Sequence, residues 1–338
     1  MAESGRGNRI LAAILIAMAL VAPFALYPVF VMEALCFALF ACAFNLLIGY
    51  VGLLSFGHAA FFGSAAYLTA HTVKVWGLPP ELGILLGTAV AGLLGTIFGW
   101  LAIRRQGIYF AMITLALAQM IYFVALQARF TGGEDGIQAV PRGHLFGLVD
   151  LNNTLAMYYF VLAVFLIGFA IIVRTIHSPF GQIIKAIREN EPRAVSLGYD
   201  ANHYKLLAFI LSAALSGLAG STKSLVFQLA SLTDVQWTMS GEVVLMTLVG
   251  GLGTVLGPVV GAFLLTAMQH YFAQLGSWVT VVEGVIFVFS VLAFRRGIVG
   301  TMVAYVARGS NPRASASAAN AMAEKPAEVS SATASGAR

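Results

Sequence analysis

Nine apolar runs, at 10–30, 32–49, 59–75, 82–103, 108–126, 155–173, 206–227, 243–268 and 278–294, take up most of this chain. Each is close to the ~20 residues that a helix needs to cross a bilayer. Of the 338 residues, 59% are apolar and only 10% are charged, against ~25% charged in soluble domains. No soluble fold of this size hides that much apolar surface, so cytosolic enzymes, nucleic-acid binders and disordered scaffolds are excluded. In hydrocarbon the backbone must satisfy its own hydrogen bonds. The expected fold is therefore all-α, a polytopic transmembrane bundle of about 8–10 helices. The first run exceeds the ~7–15-residue core of a signal peptide and reads as a span. Cys36 and Cys42 stand six apart in one run, on different sides of a helix, which argues against a disulfide.

The basic residues orient the chain. With the N-terminus in the cytoplasm and alternating crossings, Arg6, Arg9, Arg104, Arg105, Arg174, Lys185, Arg188, Arg193, Lys205, Arg295 and Arg296 fall on the cytoplasmic side. So do Arg308, Arg313, Lys325 and Arg338 of the tail, making 15 of the 19. Lys74, Arg129, Arg142 and Lys223 are left for the other side or the membrane. This is the positive-inside pattern. It divides the chain into a cytoplasmic N-terminus (1–9), a membrane domain (10–296) and a disordered Ala/Ser-rich cytoplasmic tail (297–338). From an outside loop near 229–238 to Arg295 inside, the number of crossings must be odd, yet only two runs lie between. Run 243–268 must therefore break into two short helices or re-enter. Gly250, Gly251, Gly253, Gly257, Pro258 and Gly261 lie inside it and suit a break.

Glycine, 35 residues in all, is used in two ways. Gly83, Gly87, Ala91, Gly95 and Gly99 recur every four residues, a smooth stripe that lets a neighbouring helix approach. Ala213, Gly217 and Ser221 repeat the device, as do Gly253, Gly257 and Gly261. The irregular clusters at 49–57 and 250–261 differ, because they interrupt spans in the two halves of the chain, the pattern of a transport pathway at a repeat interface. Ser55 and His58 add hydrogen-bonding groups to the first. Two lookalikes fail on context. The stretch 217–224 resembles a phosphate loop, and Gly251-x-Gly253-x-x-x-Gly257 a dinucleotide turn, but both lie at membrane depth with no preceding strand. No catalytic motif and no metal-ligand spacing is visible.

The longest cytoplasmic connection, about 175–205, carries its own helix signals. Ile183, Ile184 and Ile187 form one apolar face, and Lys185 and Glu189 are spaced for an ion pair. Pro192 fits the first turn of a second short helix, capped by Asn190 or Glu191, and Gly198 fits its stop. Two short helices standing off the membrane read equally well as an amphipathic surface loop or as a docking surface for a cytoplasmic partner.

Here the residues carry a resemblance. Arg188-Glu189-Asn190-Glu191, with Ala194 and Gly198 and then Tyr204-Lys205-Leu206-Leu207-Ala208-Phe209, resembles the coupling loop of permeases in the branched-chain amino acid ABC transporter family. Four further blocks are similar to that family: Asn45–Tyr50 with Ser55, Gly57, His58, Gly63 and Tyr67; 107–116, containing Tyr109 and Thr114; 131–136; and Val249–Gly253 with Gly257-Pro258. The likeness covers about 37–296. Leu53 replaces a glutamine usual in the family, and Lys223 stands where an apolar or small residue is expected, either near the outer interface or facing a watery cavity.

The resemblance implies a permease subunit of an ATP-driven importer in the bacterial cytoplasmic membrane, translocating branched-chain or other hydrophobic amino acids, with urea or amides as the alternative cargo. Its implied partners are the lipid bilayer, a second homologous permease, two ABC ATPase subunits and an extracytoplasmic solute-binding protein, with no nucleic acid. ATP and magnesium would be used by the ATPases, and no cofactor is bound by this chain. Gly181, Arg188, Glu189, Glu191, Ala194 and Gly198 would couple it to the ATPases, so Glu191→Lys or Gly198→Trp should uncouple hydrolysis from uptake. Asn45, Ser55, Gly57, His58, Tyr109, Thr114, Gly250 and Gly253 would line the substrate pathway. Thr131, Gly132, Gly133, Asp135 and Gly136 would form an external loop facing the binding protein or simply a tight turn. A stand-alone secondary transporter would instead need intramembrane acids for proton relay, with Glu33, Glu242 and Glu283 as candidates.

Overall fold

A computed structural model of the chain describes residues 18–24, 26–145, 147, 149–272 and the isolated positions 281, 284, 285, 288, 297 and 299. The run 278–294, Glu283, the N-terminal segment 1–9 and the tail from 301 onward therefore lie outside it, apart from those isolated positions. The described chain is almost wholly helical. Residues 18–24 are helical, followed by α1 (Pro28–Asn45), which passes into a π-helical turn at Leu46–Val51. Then come α2 (His58–Lys74), α3 (Pro80–Ala102), α4 (Ile108–Gln127) and α5 (Thr154–His177). Two short helices follow, α6 (Pro179–Glu189) and α7 (Glu191–Ser196), and then the long α8 (Ala201–Phe227). The run at 243–268 is two helices, α9 (Trp237–Gly250) and α10 (Gly257–Phe272). A small β-hairpin pairs β1 (His144–Leu145) with β2 (Val149–Asp150).

Among the described residues, five helices are long and apolar enough to cross a membrane: α1 with its π turn, α3, α4, α5 and α8. The chain is a multi-pass helical membrane protein, as the apolar runs predict. Several starts come earlier than hydropathy places them. Pro28 and Pro80 occupy the first turns of α1 and α3, where their fixed φ suits a helix and no donor is lost. Asp200 caps α8 by accepting from the His203 N–H at 3.3 Å, so that helix begins five residues before the apolar run.

Helix α1 is the hub. Every residue from Ala34 to Asn45 is buried, the mark of a helix apolar on all sides. It packs on α5, α8, α9 and α10, while α2, α3 and α8 form a second layer. The stripe on α3 makes that layer possible. A Cβ on Gly83 would stand 2.7 Å from Val73, and one on Gly99 2.6 Å from Leu206. Gly95 faces the Ala213 methyl, Gly217 faces Ala91, and Gly220 lies on the carbonyl of Phe62. The regular glycines thus pack helices, as their spacing predicts.

Lys223 ends up neither in lipid nor unpaired. Its ammonium forms an ion pair with Asp234, whose side chain is 2% exposed. It also lies over the rings of Phe37 and Phe62, at 5.6 and 5.8 Å from their centroids. Burial of a charge is tolerable when it is paired and stacked in this way.

Candidate functional site: two broken segments joined by the loop helices

Helices α9 and α10 form an antiparallel hairpin. Gly257 lies against Gly250, Gly261 against the Met246 carbonyl, and Gln269 donates to Glu242 at 3.3 Å. With 14 residues α9 reaches about 21 Å at ~1.5 Å per residue, short of the ~30 Å hydrocarbon core, before the chain leaves the helix at 251–256 and resumes as α10. The break expected from counting crossings is therefore present. At the apex, Gly253 holds a φ of 72°, a left-handed conformation natural to glycine. Thr254 ties the turn, donating to the Gly251 carbonyl at 2.7 Å and accepting from the Gly257 N–H at 3.1 Å.

The apex is docked on the first glycine-broken segment. Asn45 donates from Nδ2 to the Thr254 carbonyl at 2.9 Å, and its Oδ1 accepts from the Gly253 N–H at 3.0 Å. A Cβ on Gly49 would stand 2.8 Å from the Gly253 nitrogen. The two interruptions, about two hundred residues apart in sequence, meet face to face. Arg188 of α6 completes the junction: its guanidinium donates to the Gly49 carbonyl, and its side chain lies against Gly52.

A second cluster forms where α2 begins. The Ser55 hydroxyl accepts from the Gly57 N–H at 3.1 Å, and Thr114 Oγ1 accepts from the Phe56 N–H at 3.2 Å. A Cβ on Gly57 would stand 3.1 Å from the Thr114 carbonyl. His58 is fully buried, with Nε2 2.9 Å from Ser212 Oγ, which donates to the Ala43 carbonyl at 2.6 Å. The structure therefore gathers Asn45, Gly250 and Gly253 at one junction, and Ser55, Gly57, His58 and Thr114 at the next. Tyr109 is not brought to either. It is 69% exposed on the outer face of α4, and its match of residue type did not reveal which face it occupies.

The loop folds as two short helices, and its local signals explain why. The Ser178 hydroxyl accepts from the Gly181 N–H at 3.2 Å, ahead of Pro179. Asn190, rather than Glu191, caps α7 by accepting from the Arg193 N–H at 3.1 Å. Gly198, at φ 92°, ends it. The Tyr199 N–H bonds back to Ala194 and the Gly198 N–H to Val195, the paired C-terminal bonds of a Schellman motif. Gly181 and Ala194 are buried under the loop, while Glu189 and Gly198 are exposed. Lys185 meets the Ile176 carbonyl and the ring of Tyr50 rather than the Glu189 partner its spacing suggests. Glu191 is committed internally, to Lys205 at 2.6 Å and to Gln106 at 2.8 Å. Sequence reasoning missed the exposed apolar tip beside it: Val195, Leu197 and Tyr199 are 54, 70 and 40% exposed.

At the opposite end, Thr131 is buried and donates to the carbonyls of Ala125 and Ala128. Gly132 and Gly136 take positive φ. Ile137 pairs with Ala230, Lys74 donates to the Gln138 carbonyl at 2.6 Å, and Arg142 donates to the last carbonyls of α8. These contacts account for the glycines, and Asp135 is left on the surface.

A bundle of crossing helices, two interrupted segments docked on each other and a two-helix loop reaching the dock define a membrane permease. The sequence comparisons agree. Residues 27–291 match the family model described as branched-chain amino acid transport system / permease component, and the chain belongs to that family. It is 26% identical to the high-affinity branched-chain amino acid transport system permease protein LivM of Salmonella typhimurium over 249 residues, 67% of this chain and 59% of the relative. It is 25% identical to the probable branched-chain amino acid transport permease protein LivM of Methanocaldococcus jannaschii, over 53% of this chain and 52% of the relative. The ribose import permease protein RbsC of Bacillus subtilis is 26% identical, over 66 and 70%. The chain thus spans less than two thirds of the length of the LivM relatives it matches. No solved structure matches it.

Proposed function

We propose that this chain is the membrane-spanning subunit of an ATP-driven importer that moves branched-chain or other hydrophobic amino acids into the cell. It pairs with a second, homologous permease. Two ABC ATPases consume ATP and magnesium on the cytoplasmic side, and an extracytoplasmic solute-binding protein delivers the cargo, meeting the loop around Asp135. The distribution of basic residues supports a cytoplasmic location for both termini. The observation that carries this reading is the loop at α6 and α7. A rigidly capped pair of short helices presents Val195, Leu197 and Tyr199 to solvent while its other side reaches the broken segments through Arg188. An exposed apolar tip on a braced lever is what a partner that pushes on the membrane domain would grip.

The test is reconstitution of the full complex, with uptake of labelled leucine measured against unlabelled leucine, urea and amides. ATP-dependent leucine uptake inhibited by other branched-chain amino acids is the expected result. Inhibition by urea or amides alone would reassign the cargo, and uptake without ATPases would overturn the ABC reading. Leu197→Asp should cut co-purification of the ATPases and uptake together, because it puts a charge into the apolar contact. Wild-type uptake and co-purification in that variant would remove α7 from the docking surface.

A further inference from the structure

Arg188 belongs to the loop helices, yet its guanidinium does not complete the exposed tip. It turns inward to the junction of the two broken segments. We infer that Arg188, a solvent-exposed residue of α6, is a latch: it holds the apex of the α9–α10 hairpin against the turn at 49–52, keeping the loop end of the path closed until α6 moves. The inference rests on the importer reading above and concerns how movement of the loop reaches the path.

Three observations meet at this point. The π turn ends at Gly52, so the Gly49 carbonyl lies in the last turn of a helix, where carbonyls lack intrahelical donors and attract cations. Arg188 supplies both the donor and the charge. Glycine makes the approach possible. A Cβ on Gly52 would stand 3.1 Å from Arg188 Cγ, and one on Gly253 3.6 Å from its guanidinium, so the side chain lies between the turn and the apex. From the membrane side Asn45, 3% exposed, holds the same apex through its two bonds to Gly253 and Thr254. Asn45 is fixed within α1, so of the two clamps Arg188 is the one that a displacement of α6 would withdraw. A rigid-body shift of this helix breaks a charge-assisted bond and frees the Gly49 carbonyl and the apex together. An aspartate or glutamate at 188 could not make this contact, and a lysine could offer a donor but not the flat fork.

The latch predicts that the apex becomes accessible when Arg188 lets go. The reporter is Val255→Cys, a partly buried apex position, in the full complex in inverted membrane vesicles. The native Cys36 and Cys42 are both buried, so a membrane-impermeant thiol reagent reads the new cysteine. With Arg188 in place, labelling should be slow and should quicken on addition of ATP. In Arg188→Ala it should be about ten-fold faster without ATP, the order expected for losing one charge-assisted hydrogen bond, and ATP should add nothing. Arg188→Lys should fall between. Equal labelling in Arg188→Ala and the parent, with the ATPases still bound, would overturn the latch. Loss of the ATPases from the Arg188→Ala complex would also overturn it, by making Arg188 a docking residue. Failure of the importer reading would show separately, as a parent complex that contains no ATPase and whose uptake ignores ATP.

Discussion

The α3 stripe and the junction of the two broken segments use the same amino acid to opposite ends. On α3 the glycines recur every four residues, the helix stays whole, and the missing side chains let α2 and α8 close in until methyl groups and carbonyls fill the space. At 49–57 and 250–257 the spacing is irregular, the helices stop, and backbone groups are released that must find partners elsewhere. Asn45, Thr254 and Arg188 supply them. A glycine in register with the helix removes volume. A glycine out of register, beside a proline or another glycine, removes the helix. The first kind of region should be rigid, whereas the second is held by a handful of hydrogen bonds that a modest displacement can exchange.

The comparison breaks most severely at Gly220. Its Cβ position falls on the Phe62 carbonyl, backbone that cannot turn aside. Gly220→Val should exceed the ~1–3 kcal/mol usual for overpacking and push α2 off α8. The expected outcome is loss of the monodisperse peak on size-exclusion chromatography after detergent extraction. A variant that elutes and melts like the parent would show that the layer is not set by this contact.

Asn45→Ala probes the other region and should be milder for the fold than for function. It strips the Gly253 N–H and the Thr254 carbonyl of their partners, at about 1–3 kcal/mol for each polar group left buried without one. The bundle should still assemble, with a lowered thermal midpoint, while substrate-dependent ATP hydrolysis loses its dependence on substrate. If Asn45→Ala melts as low as Gly220→Val, the junction is a structural core and the proposed division between rigid and movable glycine fails.

Much of this was legible before the structure. The stripe declares itself by its interval of four, and the hairpin by a parity argument that Pro258 and the glycines around it support. The loop helices follow from Asn190, Pro192 and Gly198. Long-range partners were not legible. Nothing at Asn45 announces Thr254, 209 residues on, and Arg188 reads as one more cytoplasmic cation until α6 is folded beneath the bundle. The π turn at Leu46–Val51 has no residue type that marks it. The partner of Glu191 was hidden for the same reason: Lys205 lies within reach only because α8 starts at Ala201, before the apolar run does. Tyr109 shows the converse: its residue type was legible, but not the exposed face of α4 on which it stands.

The smallest expected effect makes the sharpest test of register. Gly92 lies on α3 among the stripe glycines but off their interval of four, and a Cβ there would meet only the Ala214 methyl, at 3.6 Å, an ordinary van der Waals contact. Gly92→Ala should therefore cost nothing in packing and should gain some of the ~1 kcal/mol by which alanine exceeds glycine inside a helix. A thermal midpoint equal to or slightly above the parent, with unchanged uptake, is expected. The same change at Gly95, three residues along, drives a methyl into Ala213 and should lower the midpoint. If both substitutions cost alike, glycine on α3 serves the flexibility of the helix as a whole rather than its contacts. The rigid side of the comparison would then be lost. If they diverge as argued, the stripe is a surface matched position by position to α2 and α8, and the movable elements are confined to the segments where glycine falls out of that register.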